Sequence, residues 1–206
     1  MDTLHEKLMA AAGELVDSGI IGAGGGAISV RLPEGAGFLI TPPGFNRMRI
    51  APDSVWQITP GGDILGKRRK PPLDTNIHLR IYAARPDVES IVISHGPMTI
   101  VTGICQVPIL PITMDSIPFA DIPRVQYDPS GLVDMGLLVA DAIGNAPALL
   151  LLNHGAVAVG STIEQAVERA EALEEIAYVM VISHLLQRIP TTLPAEAVEI
   201  IKQAGL

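Results

Sequence analysis

Pro-Pro-Leu-Asp-Thr-Asn-Ile-His-Leu-Arg-Ile-Tyr-Ala-Ala-Arg-Pro-Asp-Val-Glu-Ser-Ile-Val-Ile-Ser-His, residues 71–95, decides how this chain is read. The stretch predicts a helix over 74–84 that opens on a lone carboxylate, Asp74, with His78 one turn later. After Arg85-Pro86 the pattern changes to a β-branched run, Ile91-Val92-Ile93, which predicts a short buried strand ending on His95. Downstream, Leu149-Leu150-Leu151-Leu152 ends in a similar way on Asn153-His154-Gly155. Two histidines at the ends of two buried strands and one carboxylate at a helix start make a candidate metal constellation. From spacing alone, hydrogen-bonded strand-end histidines without a metal are the stronger reading.

Composition bounds the rest. The 206 residues are enough for a full core and read as one domain, residues 1–206. With 48% apolar and 17% charged residues the chain is globular, not disordered. The net charge is −8, and the only basic cluster is Lys67-Arg68-Arg69-Lys70, so nucleic acid is not an expected partner. That cluster reads as a solvated loop, or as a patch that steers an anionic substrate. A single cysteine, Cys105, excludes an internal disulfide and fits a reducing compartment. Met1-Asp2-Thr3 is not a basic signal-peptide start, and no apolar run approaches the ~20 residues of a membrane span. The expected setting is the cytoplasm, without a membrane partner.

Thr3-Leu4-His5-Glu6 reads as a capping box for a first helix, which stops at Gly19. The glycine-rich run Gly22–Gly26 then frees the backbone to approach a ligand, or simply turns into the next strand. Strands are predicted over 27–32, 37–41, 54–58, 123–127 and 148–152, with Ala156–Gly160 as the hairpin partner of the last. A short helix over 97–105 precedes a proline-rich, irregular stretch, 106–129. Ser130 is placed to cap a helix over 131–143, and Ser161 or Thr162 starts the longest helix, running to about Arg188. Its apolar face ends on His184, read as an interior histidine, and Pro194 opens a last helix. Interspersed helices and strands predict an α/β sandwich around a mostly antiparallel sheet.

Pro71-Pro72-Leu73-Asp74, His78, Ile81-Tyr82, Arg85-Pro86-Asp87-Val88, Ser94-His95-Gly96-Pro97 and Asn153-His154-Gly155 resemble the class II aldolase/adducin family in order and spacing. The similarity spans about residues 4–188. The resemblance implies a three-layer α/β sandwich, a mostly antiparallel central sheet flanked by helices, and cyclic tetramers with active sites between subunits. It also implies a divalent metal, usually zinc, held by three histidines and chelating oxygens of a keto-sugar phosphate. There the metal stabilises the enediolate left when the carbon–carbon bond breaks, while a nearby glutamate moves protons.

Carried over position by position, the second and third histidines of the family fall on His95 and His154, and the first on Ile93, which cannot ligate. The glutamate falls on Asp74. The phosphate-binding Gly-Asn turn falls on Gly26-Ala27, with Gly25 beside it, and the Thr-Gly turn on Thr41-Pro-Pro-Gly44, with Pro43 where a hydroxyl is expected. The Ser-Ser pair falls on Pro72 and Leu73. On this resemblance the metal site is reduced to His95, His154 and Asp74, with Asp74 either third ligand or catalytic base. His78 is then a base, a replacement ligand or a hydrogen-bonding neighbour. Gly25, Gly26, Ala27, Thr41 and Gly44 would line a substrate site stripped of its phosphate donors. Asp115 and Tyr127 lie where the family often keeps further acid/base groups, and neither is assigned. The expected protein is a metal-dependent lyase that cuts a carbon–carbon bond of a small oxygenated, non-phosphorylated substrate through a metal-stabilised enolate. The rival is a non-catalytic, adducin-like binding or assembly module. A homo-oligomer, most simply a tetramer, is expected in either case; its support in the sequence is the apolar but patternless stretch Val107–Asp121.

Overall fold

Thr3 caps the first helix, α1 (Leu4–Asp17), as a full capping box: its side chain accepts from the Glu6 amide while the Glu6 carboxylate accepts from the Thr3 amide. The structure is a computed structural model of the chain, and it describes residues 3–22, 25–42, 54–66, 74–130 and 132–204. After α1 come strands β1 (Ala27–Arg31), β2 (Phe38–Ile40) and β3 (Trp56–Ile58), then helix α2 (Thr75–Ala84) and strand β4 (Ser90–Ser94). Helix α3 (Pro97–Ile104), strand β5 (Arg124–Gln126) and helix α4 (Met135–Ile143) follow. The chain continues through β6 (Ala148–Leu152), β7 (Gly155–Gly160), the long α5 (Ile163–Leu185) and α6 (Ala195–Ala204).

Among the described residues, seven strands form one sheet in the order β3-β2-β1-β4-β7-β6-β5. Five pairings are antiparallel, but β5 runs parallel to β6 at the edge, so the sheet is mixed rather than antiparallel throughout. A parallel pair needs a crossover connection, and α4 lies in the one between β5 and β6. Helices cover both faces. In β4, Val92 packs with α1 and α5 residues such as Leu8, Leu15 and Leu173, while Ile91 and Ile93 pack with Ile77 and Ile81 of α2 and Val139 of α4. Period-two alternation with both faces covered explains why this strand reads as an unbroken apolar run.

Three expectations need correction. The helix expected over 131–143 starts at Met135, and Asp134 caps it by accepting from the Leu137 amide at 3.1 Å. Ser130 is spent one turn earlier, accepting from the Leu132 amide. His184 is exposed rather than interior, because the C-terminal turns of α5 run past the core; neighbouring Leu185 and Leu186 are 70% and 66% exposed. The stretch Val107–Asp121 folds over its own chain: Val107, Ile109, Ile117 and Phe119 are buried, and Met114 is the exposed large apolar residue there. Ser116 organises that loop, its hydroxyl accepting from the Ile112 and Thr113 amides. Among the described residues, no helix is long and apolar enough to cross a membrane.

Candidate active site

The end of β4, the start of α2, the β6–β7 hairpin and the residue after β5 meet at one end of the strands. His95 follows β4 directly, its amide donating to the Ile20 carbonyl at 2.8 Å. Gly25 lies against its ring, where a Cβ would overlap Cε1 and Nδ1. His154 sits in the turn between β6 and β7; its amide donates to the Leu151 carbonyl at 3.0 Å, and the preceding Asn153 takes the left-handed conformation (φ 66°) that this turn requires. The Nε2 atoms of the two histidines face each other at 3.1 Å, with ring planes 83° apart.

Asp74 stands at the N-cap position of α2 but makes no side-chain capping bond. Its carboxylate turns to the histidines instead. Oδ2 lies 3.4 Å from His154 Nε2, and Oδ1 accepts from the Tyr127 hydroxyl at 2.7 Å. The Tyr127 ring stacks on His154, with centroids 3.8 Å apart and planes 22° apart. Asp74, His95 and His154 are therefore brought together, and Tyr127, unassigned in the sequence, joins them.

Electrostatics follow from that packing. Burial alone pushes the Asp74 carboxyl up, but hydrogen bonds from His154 and Tyr127 outweigh it and hold the group below the usual carboxylate range. Burial, then the bond to Asp74, pushes the Tyr127 hydroxyl above its ordinary value, so it keeps its proton at neutral pH. His95 is lowered by burial and then by the neighbouring His154, with Asp74 opposing. Two imidazoles facing through Nε2 cannot both be protonated comfortably, so the contact favours one donor and one free lone pair, or a shared cation.

His78 is kept apart from this group. It is fully buried, its Nδ1 is 2.7 Å from Ser29 Oγ, and that hydroxyl is also 2.7 Å from the Tyr82 hydroxyl. Its ring stacks on Phe38, and Nε2 has no hydrogen-bond partner among the described residues. Burial lowers its pKa to about 4, against a smaller pull from Asp74. The helix turns His78 towards β1, with the stripe that carries Tyr82, rather than towards His154.

The predicted substrate-binding residues divide. Gly25 borders the site, but its amide donates to the Gly22 carbonyl at 3.1 Å. Gly26 is glycine for packing: a Cβ there would press on Ile21 and on the Ile93 carbonyl, both about 2.9 Å away. Ala27 pairs with Ile93, which is 0% exposed and also pairs with Val157. Thr41 is buried, and its hydroxyl accepts from the Ile28 amide at 3.1 Å. Gly44 lies outside the described residues, as do Pro43, Pro72, Leu73 and the Lys67–Lys70 cluster. Asp115 lines a separate cavity with Arg85 and Arg169.

A divalent cation suits the donor chemistry here. Two imidazole nitrogens at 3.1 Å, and a carboxylate oxygen 3.4 Å from one of them, lie close to the edges of about 3.3–3.4 Å of a tetrahedral zinc site with bonds of about 2.0–2.1 Å. They meet pairwise through His154: among the described residues no three His, Cys, Asp or Glu side chains are already gathered round one metal position. Ile93 offers no fourth donor.

The sequence pattern of the class II aldolase and adducin N-terminal domain matches residues 6–181, and the chain belongs to that family. The 5-methylthioribulose-1-phosphate/5-deoxyribulose-1-phosphate aldolase of Rhodospirillum rubrum is 32% identical over 177 residues, covering 84% of this chain and 78% of that protein. Decarboxylase NovR of Streptomyces niveus is 32% identical over 134 residues, 64% of this chain and 49% of that protein. In fold, a solved L-fuculose 1-phosphate aldolase superposes with a TM-score of 0.86 at 23% identity, covering 99% of this chain and 97% of its own.

Proposed function

We propose that the chain is a divalent-metal-dependent carbon–carbon lyase, of aldolase or decarboxylase type, acting on a small oxygenated substrate that carries no phosphate. The observation that supports it is the meeting of four groups: His154 Nε2 lies 3.1 Å from His95 Nε2 and 3.4 Å from Asp74 Oδ2, while Tyr127 bonds Asp74 and stacks on His154. An aldolase and a decarboxylase among the relatives both cut a carbon–carbon bond. His95, His154 and Asp74 would hold the cation, zinc being the natural fit to two imidazoles and a carboxylate. When bound, the cation supplies Lewis-acid stabilisation of the charge that develops on a substrate oxygen.

The side chains have distinct tasks. Tyr127 occupies Asp74 Oδ1, so Oδ2 is the oxygen left for the cation or for a substrate proton. The Tyr127 hydroxyl stays protonated, and its one proton is held by Asp74 Oδ1, so its task is to fix the carboxylate beside the histidines. The non-phosphorylated substrate rests on the spent hydroxyl of Thr41, the spent amide of Gly25 and the absence of a side-chain amide at Ala27. The sugar 1-phosphate in the aldolase relative's name points the other way, so both substrate classes belong in the test. We further propose a homotetramer, in the cytoplasm.

Elemental analysis after zinc- or cobalt-supplemented purification should give about one metal per chain, lost in His154→Ala. Release of aldehyde or carbon dioxide is then measured on matched hydroxy-keto substrates with and without a phosphate. Turnover of the unphosphorylated members is expected. Preference for the phosphate esters would overturn the substrate class alone. Protein that holds no metal and turns over neither class would replace the lyase reading with an adducin-like binding module.

A further inference from the structure

We infer that Glu174, on α5, is a positioning residue for His95, a role that rests on the metal site proposed above. The carboxylate crosses to the first turn of α3, where Oε1 accepts from the Met98 amide at 2.7 Å and Oε2 from the Thr99 amide at 2.9 Å. Those amides directly follow the segment His95-Gly96-Pro97 that leads out of β4 into α3. Pro97 has no amide to donate, and the Thr99 hydroxyl closes the turn on the Gly96 carbonyl at 2.9 Å.

Gly96 shows how closely the parts fit. A Cβ at this position would overlap the Glu174 carboxylate and press on Thr99 Oγ1. The end of a glutamate usually swings aside cheaply, but this one is pinned by two charge-assisted hydrogen bonds. Glycine therefore lets the backbone just after His95 rest against a fixed carboxylate. The Ile20 carbonyl holds the His95 amide from one side and Gly25 backs its ring; Glu174 fixes the exit of the same loop. Moving the loop by a few tenths of an ångström would change the 3.1 Å contact between His95 and His154. Glu174 touches neither histidine and acts through the backbone.

The test compares Glu174→Gln with Glu175→Gln, an exposed carboxylate on the same helix. Gln keeps the size but offers one acceptor for two amides. Zinc affinity, read by chelator competition, should fall about tenfold or more in Glu174→Gln and stay unchanged in Glu175→Gln. The Met98 and Thr99 amides should lose hydrogen-exchange protection. Gly96→Ala displaces the same carboxylate, so its loss of affinity should not add to that of Glu174→Gln, and it carries the test if the glutamine variant fails to fold. Freed amides with unchanged zinc affinity would overturn the inference. If the wild type binds no zinc, the proposed function falls, and the clamp is judged by imidazole 15N shifts: those of His95 should move in Glu174→Gln, and unmoved shifts overturn it.

Discussion

His78 shows what one titratable ring does when it is buried whole. Its ordinary pKa of 6.5 is lowered to about 4 in the fold, so between those values the unfolded chain binds a proton that the folded chain refuses. Stability is therefore full above about pH 6.5 and falls as pH drops towards 4, below which both states are protonated. At ~1.4 kcal/mol per pKa unit, the loss between pH 7 and pH 4.5 comes to about 2–3 kcal/mol from this residue. Urea unfolding should show that His78→Gln, which cannot titrate, loses less stability by about this amount over the same interval; equal losses would contradict the assignment. The sequence places His78 one turn from Asp74 on the same helix, and that spacing is correct. It could not show that the Ser29 hydroxyl claims the imidazole, because Ser29 is 49 residues away and arrives through sheet pairing. The resemblance marks the stretch that holds Tyr127 but not its role, for the same reason: its partner, Asp74, is 53 residues distant. Asp74, His95 and His154 were readable because each ends a local element, and the family resemblance carries the same three positions.

The strand ends do more than deliver histidines. β4 and β7 pair from Ser90↔Gly160 to Ser94↔Ala156, which sets the residues next to His95 and His154 side by side. At Gly155 the backbones approach so closely that a Cβ would overlap the Ser94 carbonyl oxygen. Gly155→Ala must push the two strands apart where the site begins. A loss of about 1–3 kcal/mol is expected in thermal or denaturant unfolding, the usual cost of overpacking a buried contact. Zinc affinity should fall with it, since the displaced atoms adjoin both histidines; unchanged stability would show that the strands have slack. Hairpin and strand boundaries here were legible, β6 to the residue, because apolar runs and the Asn-His-Gly turn punctuate them. The start of α4 was not. Ser130 and Asp134 are both good caps, and only the turn that consumes the Ser130 hydroxyl decides between them.

Assembly is where sequence and structure give different arguments for one expectation. The apolar stretch Val107–Asp121, which suggested a partner, is mostly satisfied by its own chain. Apolar surface also remains elsewhere: Tyr178, Val179, Ile182 and Leu185 on α5 and Leu186 just after it are between 36% and 70% exposed, and Leu137 and Leu138 on α4 are 52% and 43% exposed. Scattered exposed apolar residues mean little, but these five recur at positions 178, 179, 182, 185 and 186, a spacing that puts them on one helical face. Such a strip is best removed from water against another copy, and closed rotational symmetry satisfies every copy alike. Light scattering should give about four times the 21.7 kDa chain mass. Replacing Tyr178 and Ile182 by Lys should move the mass towards the monomer, because like charges would then face each other across the contact. Neither position touches His95, His154 or Asp74, so any activity lost with the mass would reflect assembly. A wild-type mass near 21.7 kDa at working concentration would contradict the tetramer and leave the α5 strip to some other partner.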